Sequence, residues 1–289
     1  MEYLMTYGWA ILIIAVVLGI LFQLGVFSSG NFQPHAQAGS CQVSRTAAGV
    51  SLEGQCNGLL PEYVANFGSG TSTAAEVEGT SLKGFSTAYP ITVTAWVYLQ
   101  SLNGYSTVEG VFSYGSNCGN TETLDFVSNG GSPPSAVPFI DACGDNYESN
   151  LLAPLNTWNF VAYTLNSGGT LTFYLNSQSN TISGAASQVI VPNDFLIGKD
   201  QEGGINTLYD NINGYISNVQ VYNTTLSSTE VQELYLEGIG GAPIRPQNLA
   251  AWWPLNGNLN DYSGNNNNAA PVGNGILYSS SWESGYTPP

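Results

Sequence analysis

The sequence predicts a mainly β protein, a two-sheet sandwich preceded by one long hydrophobic helix. Three features predict it. Short bursts of alternating apolar residues recur between Gly-, Asn- and Ser-rich turns, no βαβ alternation separates them, and the charge-free run Leu4–Phe27 occupies the N-terminus. With 43% hydrophobic and 12% aromatic residues among 289, the chain carries enough apolar surface for a buried core, which excludes a disordered chain.

The run LMTYGWAILIIAVVLGILFQLGVF holds only Thr6 and Gln23 as strongly polar members. As a helix of about 24 residues rising about 1.5 Å each, it spans roughly 36 Å, enough for a bilayer core of about 30 Å. Apolar side chains surround it on all sides, unlike an amphipathic surface helix. No Lys or Arg precedes Arg45, so the basic n-region of a cleaved secretory signal is missing. Residues 1–28 are therefore expected to form a retained helix, residues 29–40 a polar tether and residues 41–289 an external domain.

Glu2 sits just before this run, where a carboxyl beside hydrocarbon needs a partner. The opening MEYLMTYGWAILIIAVVLGILF resembles the hydrophobic segment of archaeal type IV pilin-like proteins of the class III signal-peptide type. The resemblance implies that Glu2 faces the terminal amine of a neighbouring subunit and that Leu4, Trp9, Ile13, Val17 and Leu21 pack into a helical homo-polymer, the membrane holding each subunit before assembly. In that family a basic leader ending in Lys-Gly precedes the segment, whereas this sequence opens at Met1.

Past the tether, the clearest strand is Pro90–Leu99, in which Ile91, Val93, Ala95, Val97 and Leu99 share one face and Thr92, Thr94, Trp96 and Tyr98 the other, so both faces can be covered. Gly110–Tyr114, Asn159–Leu165, Thr170–Leu175, Asp194–Ile197 and Tyr215–Tyr222 read as further strands, with a hairpin turn across Leu165–Gly169. Ser227–Leu236 reads as a helix opened by a capping box with Glu230. Cys41, Cys56, Cys118 and Cys143 lack metal-site spacing and are expected to form disulfides. Three pairings are open, of which the nearest-neighbour one closes the shortest loops.

Four segments, PITVTAWVYL, LNTWNFVAYTLNSGGTLTFYLNSQ, FLIGKDQEGGINTLYDNINGYISNVQVYNTTLSSTEVQELY and NLAAWWPLNGNLNDYSGNNNNA, resemble the concanavalin A-like, laminin-G-like jelly rolls. In that family the element like WWPLNGNLNDYSGN opens the domain, whereas here it comes last. A circular permutation is the expected explanation, and a truncated second copy of the domain the alternative.

Twenty acidic against 4 basic residues give a net charge of −16, which excludes nucleic acid as a partner. No Glu-x-Asp-x-x-Glu strand or Gly-x-Ser-x-Gly elbow occurs, and Glu122, Asp125, Asp141, Asp145 and Glu148 read as solvated loop acids, so no catalytic residue is expected. Calcium is the cofactor that an oxygen-rich turn at Asn260, Asp261 and Ser263 admits, with a metal-free Asx-turn as the other reading. Asp200, Glu202 and Asp210 form a second, weaker set. Aromatic residues with neighbouring amides suit glycans, and Tyr105, Asn117, Tyr147 and Tyr209 are the candidates, joined by Tyr114 and Tyr262. Trp96, Trp158 and Trp252 are expected in the core. Asn223 opens a glycosylation sequon. The expected function is a cell-surface pilin-like structural or adhesion protein displaying a lectin-like sandwich. The alternatives are a membrane-tethered monomeric lectin or S-layer-type protein and, third, a glycan-active hydrolase.

Overall fold

The computed structural model describes residues 11, 13–17, 61–68, 74–77, 82–84, 90–102, 108–115, 121–128, 135–140, 146–185, 195–199, 212–272 and 277–280. The chain divides into Met1–Gln55 and Cys56–Pro289, and the sandwich lies in the second unit. Within the apolar run, residues 11 and 13–17 are helical. Among the described residues no helix is long and apolar enough to cross a membrane. Glu2, Leu4, Trp9 and Leu21, the tether, and all four cysteines lie outside the described residues.

Two antiparallel sheets form the sandwich. The first joins β10 (Gln178–Ser183), β9 (Thr170–Leu175), β8 (Trp158–Leu165), β3 (Ile91–Leu99), β12 (Gly214–Tyr222), β1 (Tyr63–Gly68) and β15 (Leu277–Ser280) in that order, with β13 (Leu249–Trp253) also paired to β12. The second runs β14 (Ala270–Val272), β2 (Ala74–Val77), β11 (Phe195–Ile197), β4 (Val108–Gly115), β5 (Thr121–Ser128), β6 (Ala136–Ile140) and β7 (Tyr147–Glu148). Alternation decides what each strand buries: Ile91, Val93, Ala95, Val97 and Leu99 of β3 meet Phe112, Phe126, Phe195 and Ile197 of the opposite sheet in one core. The hairpin between β8 and β9 turns where Asn166 and two glycines predict it, with the Asn166 N–H donating to the Thr170 carbonyl at 3.1 Å.

The other face of β3 is covered by α1 (Ser228–Glu237), whose Tyr235 stacks on Trp96 at 6.0 Å and 20° and meets Phe160 at 6.0 Å. The predicted capping box forms: Ser227 and Glu230 satisfy each other's backbone N–H groups, and Glu230 also pairs with Arg245 beyond the helix. Trp96 and Trp158 are buried as expected, at 2% and 5% exposure, on the outer face of the sheet, whereas Trp252 is only partly buried.

Strands β1 and β13 share one edge of β12, end to end. Ala65 of β1 pairs with Ile216, and Trp253 of β13 pairs with Val219. Between them β12 carries one extra residue relative to β3, where the register shifts between Ser217 and Gln220, and Asn218 takes the left-handed conformation (φ 53°) that Asn tolerates. The Asn218 N–H donates to Pro254 O as β13 ends, and the Tyr63 N–H donates to Asn256 Oδ1 as β1 begins. The late Trp-Trp element is therefore a paired strand of this sandwich, with Trp253 fully buried, and not the unpaired edge that a truncated second copy would leave.

Candidate functional site

The outer face of the first sheet is built of rungs across strands. The rung of Phe160, Trp96 and Ser217 and those beyond it toward the C-terminal end of β12 lie beneath α1 and the segment after it, from which Ile239 and Ile244 are buried. The next rung outward is Trp158 on β8, Tyr98 on β3, Tyr215 on β12 and Asn66 on β1, each paired directly with the next. Tyr98, Tyr215 and Asn66 are partly exposed.

The three rings form a compact triangle. Tyr98 meets Trp158 edge-on at 5.8 Å (61°) and Tyr215 at 5.5 Å (67°), and Trp158 lies 6.4 Å from Tyr215. Their closeness depends on Gly214, where an added Cβ would fall 1.9 Å from the Tyr98 carbonyl oxygen. Amides rim the triangle. Gln100 Nε2 donates to the Tyr215 hydroxyl at 3.3 Å, Asn213 Nδ2 donates to Ser101 Oγ, and the Asn213 N–H donates to the Glu109 carboxyl at 3.1 Å. The Asn213 Oδ1 and the Trp158 indole N–H are buried with no hydrogen-bond partner among the described residues. The partly exposed Tyr98 and Tyr215 with the exposed Gln100 amide and Asn66 beside them suit a ligand that offers C–H faces and hydroxyls.

The residues singled out from the sequence fall elsewhere. Tyr105, Asn117 and Tyr209, and with them Asp200, Glu202 and Asp210, lie outside the described residues. The connections carrying Tyr105 and Asn117 flank opposite ends of β4, a strand of 8 residues. Tyr147 is partly buried against the core, and Tyr114, read as a loop residue, is 2% exposed within it, where burial pushes its hydroxyl up to about 12. Glu122 and Asp125, read as loop acids, belong to β5, and Asp125 is fully buried. Tyr262 is 53% exposed and packs on Trp252 at 6.1 Å. What sequence reading missed is the pairing of Tyr98, Trp158 and Tyr215. Outward parity at Tyr98 was legible, but the register that sets Trp158 and Tyr215 on either side of it was not.

The proposed calcium turn does not fit a cation. Asp261 Oδ1 accepts the Trp252 and Ser263 N–H groups at 2.9 and 2.8 Å, and Oδ2 accepts the Ser263 hydroxyl and the Asn267 N–H, both at 2.8 Å. The four lone-pair positions of the carboxylate are used by protein donors, while the Asn260 N–H donates to Asn258 Oδ1 and closes the preceding turn. The metal-free Asx-turn is the reading this geometry supports. Asn218 is a hub: its Oδ1 accepts from Gln220 Nε2 and the Trp252 indole, and its Nδ2 donates to Gly241 O at 2.8 Å. Asn223 of the sequon donates from Nδ2 to Gly84 O at 2.9 Å and accepts from Asn248 Nδ2 at 3.2 Å.

Comparison with known proteins agrees with this architecture. Among solved structures, the chain is similar to a protein from Bacteroides ovatus described as a candidate carbohydrate binder, with 17% identity, a TM-score of 0.56, and coverage of 76% of this chain and 60% of that one. It is similar also to a heptameric SAP-like pentraxin from Limulus polyphemus, with 13% identity, a TM-score of 0.55, and coverage of 78% of this chain and 97% of that one. No curated protein matches it. The family profile of the concanavalin A-like lectin/glucanases superfamily matches residues 69–232, more than half of the 289, and the chain belongs to that superfamily.

Proposed function

We propose that this protein is a non-catalytic, lectin-like glycan-binding protein displayed outside the cell, with its ligand held on the outer face of the first sheet. The observation that carries the reading is the rung Trp158–Tyr98–Tyr215–Asn66, in which three aromatic rings and an amide stand in register just past the edge of α1. Sugar rings stack their C–H faces on such rings and bond their hydroxyls to the adjoining amides. The fold similarity to a Bacteroides ovatus protein described as a candidate carbohydrate binder is consistent with it. The late β13 completes the place beside β12 that β1 fills only in part, as a circular permutation of the family order would require. Screening the full chain against immobilised oligosaccharides tests the function. Tyr98→Ala and Tyr215→Ala are expected to weaken binding at least tenfold while the far-UV spectrum stays native. Undiminished binding by both variants refutes the site.

A second reading concerns what carries the domain, and one observation favours it. Ile11, Ile13, Ile14, Val16 and Val17 of the helical N-terminal residues are 67%, 58%, 58%, 52% and 48% exposed. An apolar helix this uncovered needs a bilayer or neighbouring copies around it. We assign residues 1–28 to membrane anchoring and, through helix bundling of the pilin type, to a homo-polymer, with Glu2 at the subunit contact and residues 41–289 outward. Tethered monomers are the alternative. Electron microscopy of surface preparations separates them: filaments with a helical central density support assembly, and dispersed bilayer-bound particles reject it.

A further inference from the structure

Resting on the glycan reading above, we infer that the aromatic rung accepts neutral glycans and rejects acidic ones. The chain has 4 cationic side chains against 20 acidic ones, so it holds few counter-charges to set beside an anionic sugar. None of the described three reaches the rung as a free charge. Lys199 is 1% exposed and enclosed by the domain, and Arg245 is paired with Glu230. Lys83 is exposed, but the next residue, Gly84, accepts from Asn223, just past the far end of β12, seven residues and roughly 23 Å along the strand from Tyr215. Arg45, the fourth, lies outside the described residues.

The groups that adjoin the rung give an anion no counter-charge: Gln100 and Asn213 are neutral amides. An acidic sugar would lose water against aromatic faces without a counter-charge, in the field of a chain carrying −16. Selectivity here comes from repulsion as much as from contact.

Binding of the full chain, in a detergent without a sugar headgroup, is measured by calorimetry with paired probes: lactose against sialyllactose, and cellotriose against trigalacturonate. The neutral member of each pair is expected to bind at least tenfold tighter at about 10 mM salt. The gap should narrow at about 1 M, as the screening length contracts from about 30 Å to about 3 Å. Gln100→Lys places a cation at the rim, at an exposed position, and keeps a donor for the Tyr215 hydroxyl. It should raise the acidic-to-neutral affinity ratio several-fold. Acidic probes binding as tightly as neutral ones, with or without calcium, or an unchanged ratio in Gln100→Lys, overturn the inference while leaving glycan binding standing. Failure of every probe, neutral and acidic, overturns the glycan reading itself and this inference with it.

Discussion

Replacing Trp253 tests whether the late strand β13 is part of the fold. The side chain is fully buried, stacks on Phe195 of the opposite sheet at 4.6 Å and 28°, and donates its indole N–H to Asn267 O at 2.8 Å. Trp253→Ala removes the ring from the contact between sheets, a loss of about 3–5 kcal/mol for a buried large-to-small change. It also leaves the Asn267 carbonyl without that donor in a residue only 2% exposed, a further cost of about 1–3 kcal/mol where no water replaces it. The two overlap, so about 4–6 kcal/mol is the expected total, a large share of the roughly 5–15 kcal/mol that holds a domain folded. At about 2–4 °C per kcal/mol for a domain of this size, the midpoint should fall by about 10–20 °C. Trp253→Phe keeps most of the packing and loses the hydrogen bond, so it should cost about half as much. Urea and thermal unfolding followed by circular dichroism measure both. A cost below about 1 kcal/mol for Trp253→Ala would show that the chain after residue 248 is an accessory, and the placement of β13 beside β12 would fall.

Three further outcomes follow from particular contacts. Asp261→Ala strips four donors of their acceptor and should destabilise by about 2–4 kcal/mol, with Asp261→Asn in between, whereas calcium or a chelator should leave the wild-type midpoint within about 1 °C; a clear rise with calcium would reopen the turn as a metal site. Burial, and then the neighbouring Glu233, raise the Glu237 carboxyl above its ordinary value, so its share of stability is full at acid pH and is lost as pH climbs through the raised value; Glu237→Gln should therefore lift the midpoint at pH 8 and converge with wild type toward pH 4, and a constant offset would refute this. Gly214→Ala drives a methyl into the Tyr98 carbonyl and should cost stability by about 2–4 kcal/mol and glycan affinity together, so full affinity in a stable variant would break the link between the rung and its backbone seat.

The sandwich was legible because alternation is a local signal. Ile91 to Leu99 announce a two-faced strand, Ser227 and Glu230 a helix start, and Asn166 with two glycines a turn, and each stands where the sequence places it. Polar or mixed strands carried no such signal. Gln178–Ser183 forms β10 through pairing with β9, and Thr121–Ser128 forms β5 although it holds Glu122 and Asp125. Tertiary pairing decides there, and it overrides local preference. The site was less legible for a related reason. Aromatic richness in loops drew attention to Tyr105, Asn117, Tyr147 and Tyr209, whereas the partly open rung is assembled from three strand positions separated by 60 and 57 residues, whose meeting depends on register alone.

Asn218 ties stability to the proposed function. A strand as long as β12 would place its side chains in unbroken register from Tyr215 to Tyr222, and one partner strand would suffice on its edge. The extra residue at Asn218 interrupts that register, and its amide is held from three directions, by Gln220, by the Trp252 indole and by Gly241 O. On one side of it β1 brings Asn66 beside Tyr215; on the other β13 brings Trp252 beside Gln220 beneath the segment after α1. The covered half of the outer face thus buries aromatic and amide groups of the same chemical kind that the open half presents. Covering them stabilises the sandwich, because Asn218, Gln220, Tyr222 and the Trp252 indole are hydrogen-bonded to one another there. Leaving the last rung open keeps one surface of that chemistry available to a ligand. Asn218→Ala should therefore loosen the covered half first, exposing Trp252 to quenchers, and weaken glycan binding only to the extent that β1 loses its alignment with Tyr215. If quenching of Trp252 stays unchanged while binding is abolished, Asn218 serves the ligand directly and the division between the two halves is wrong.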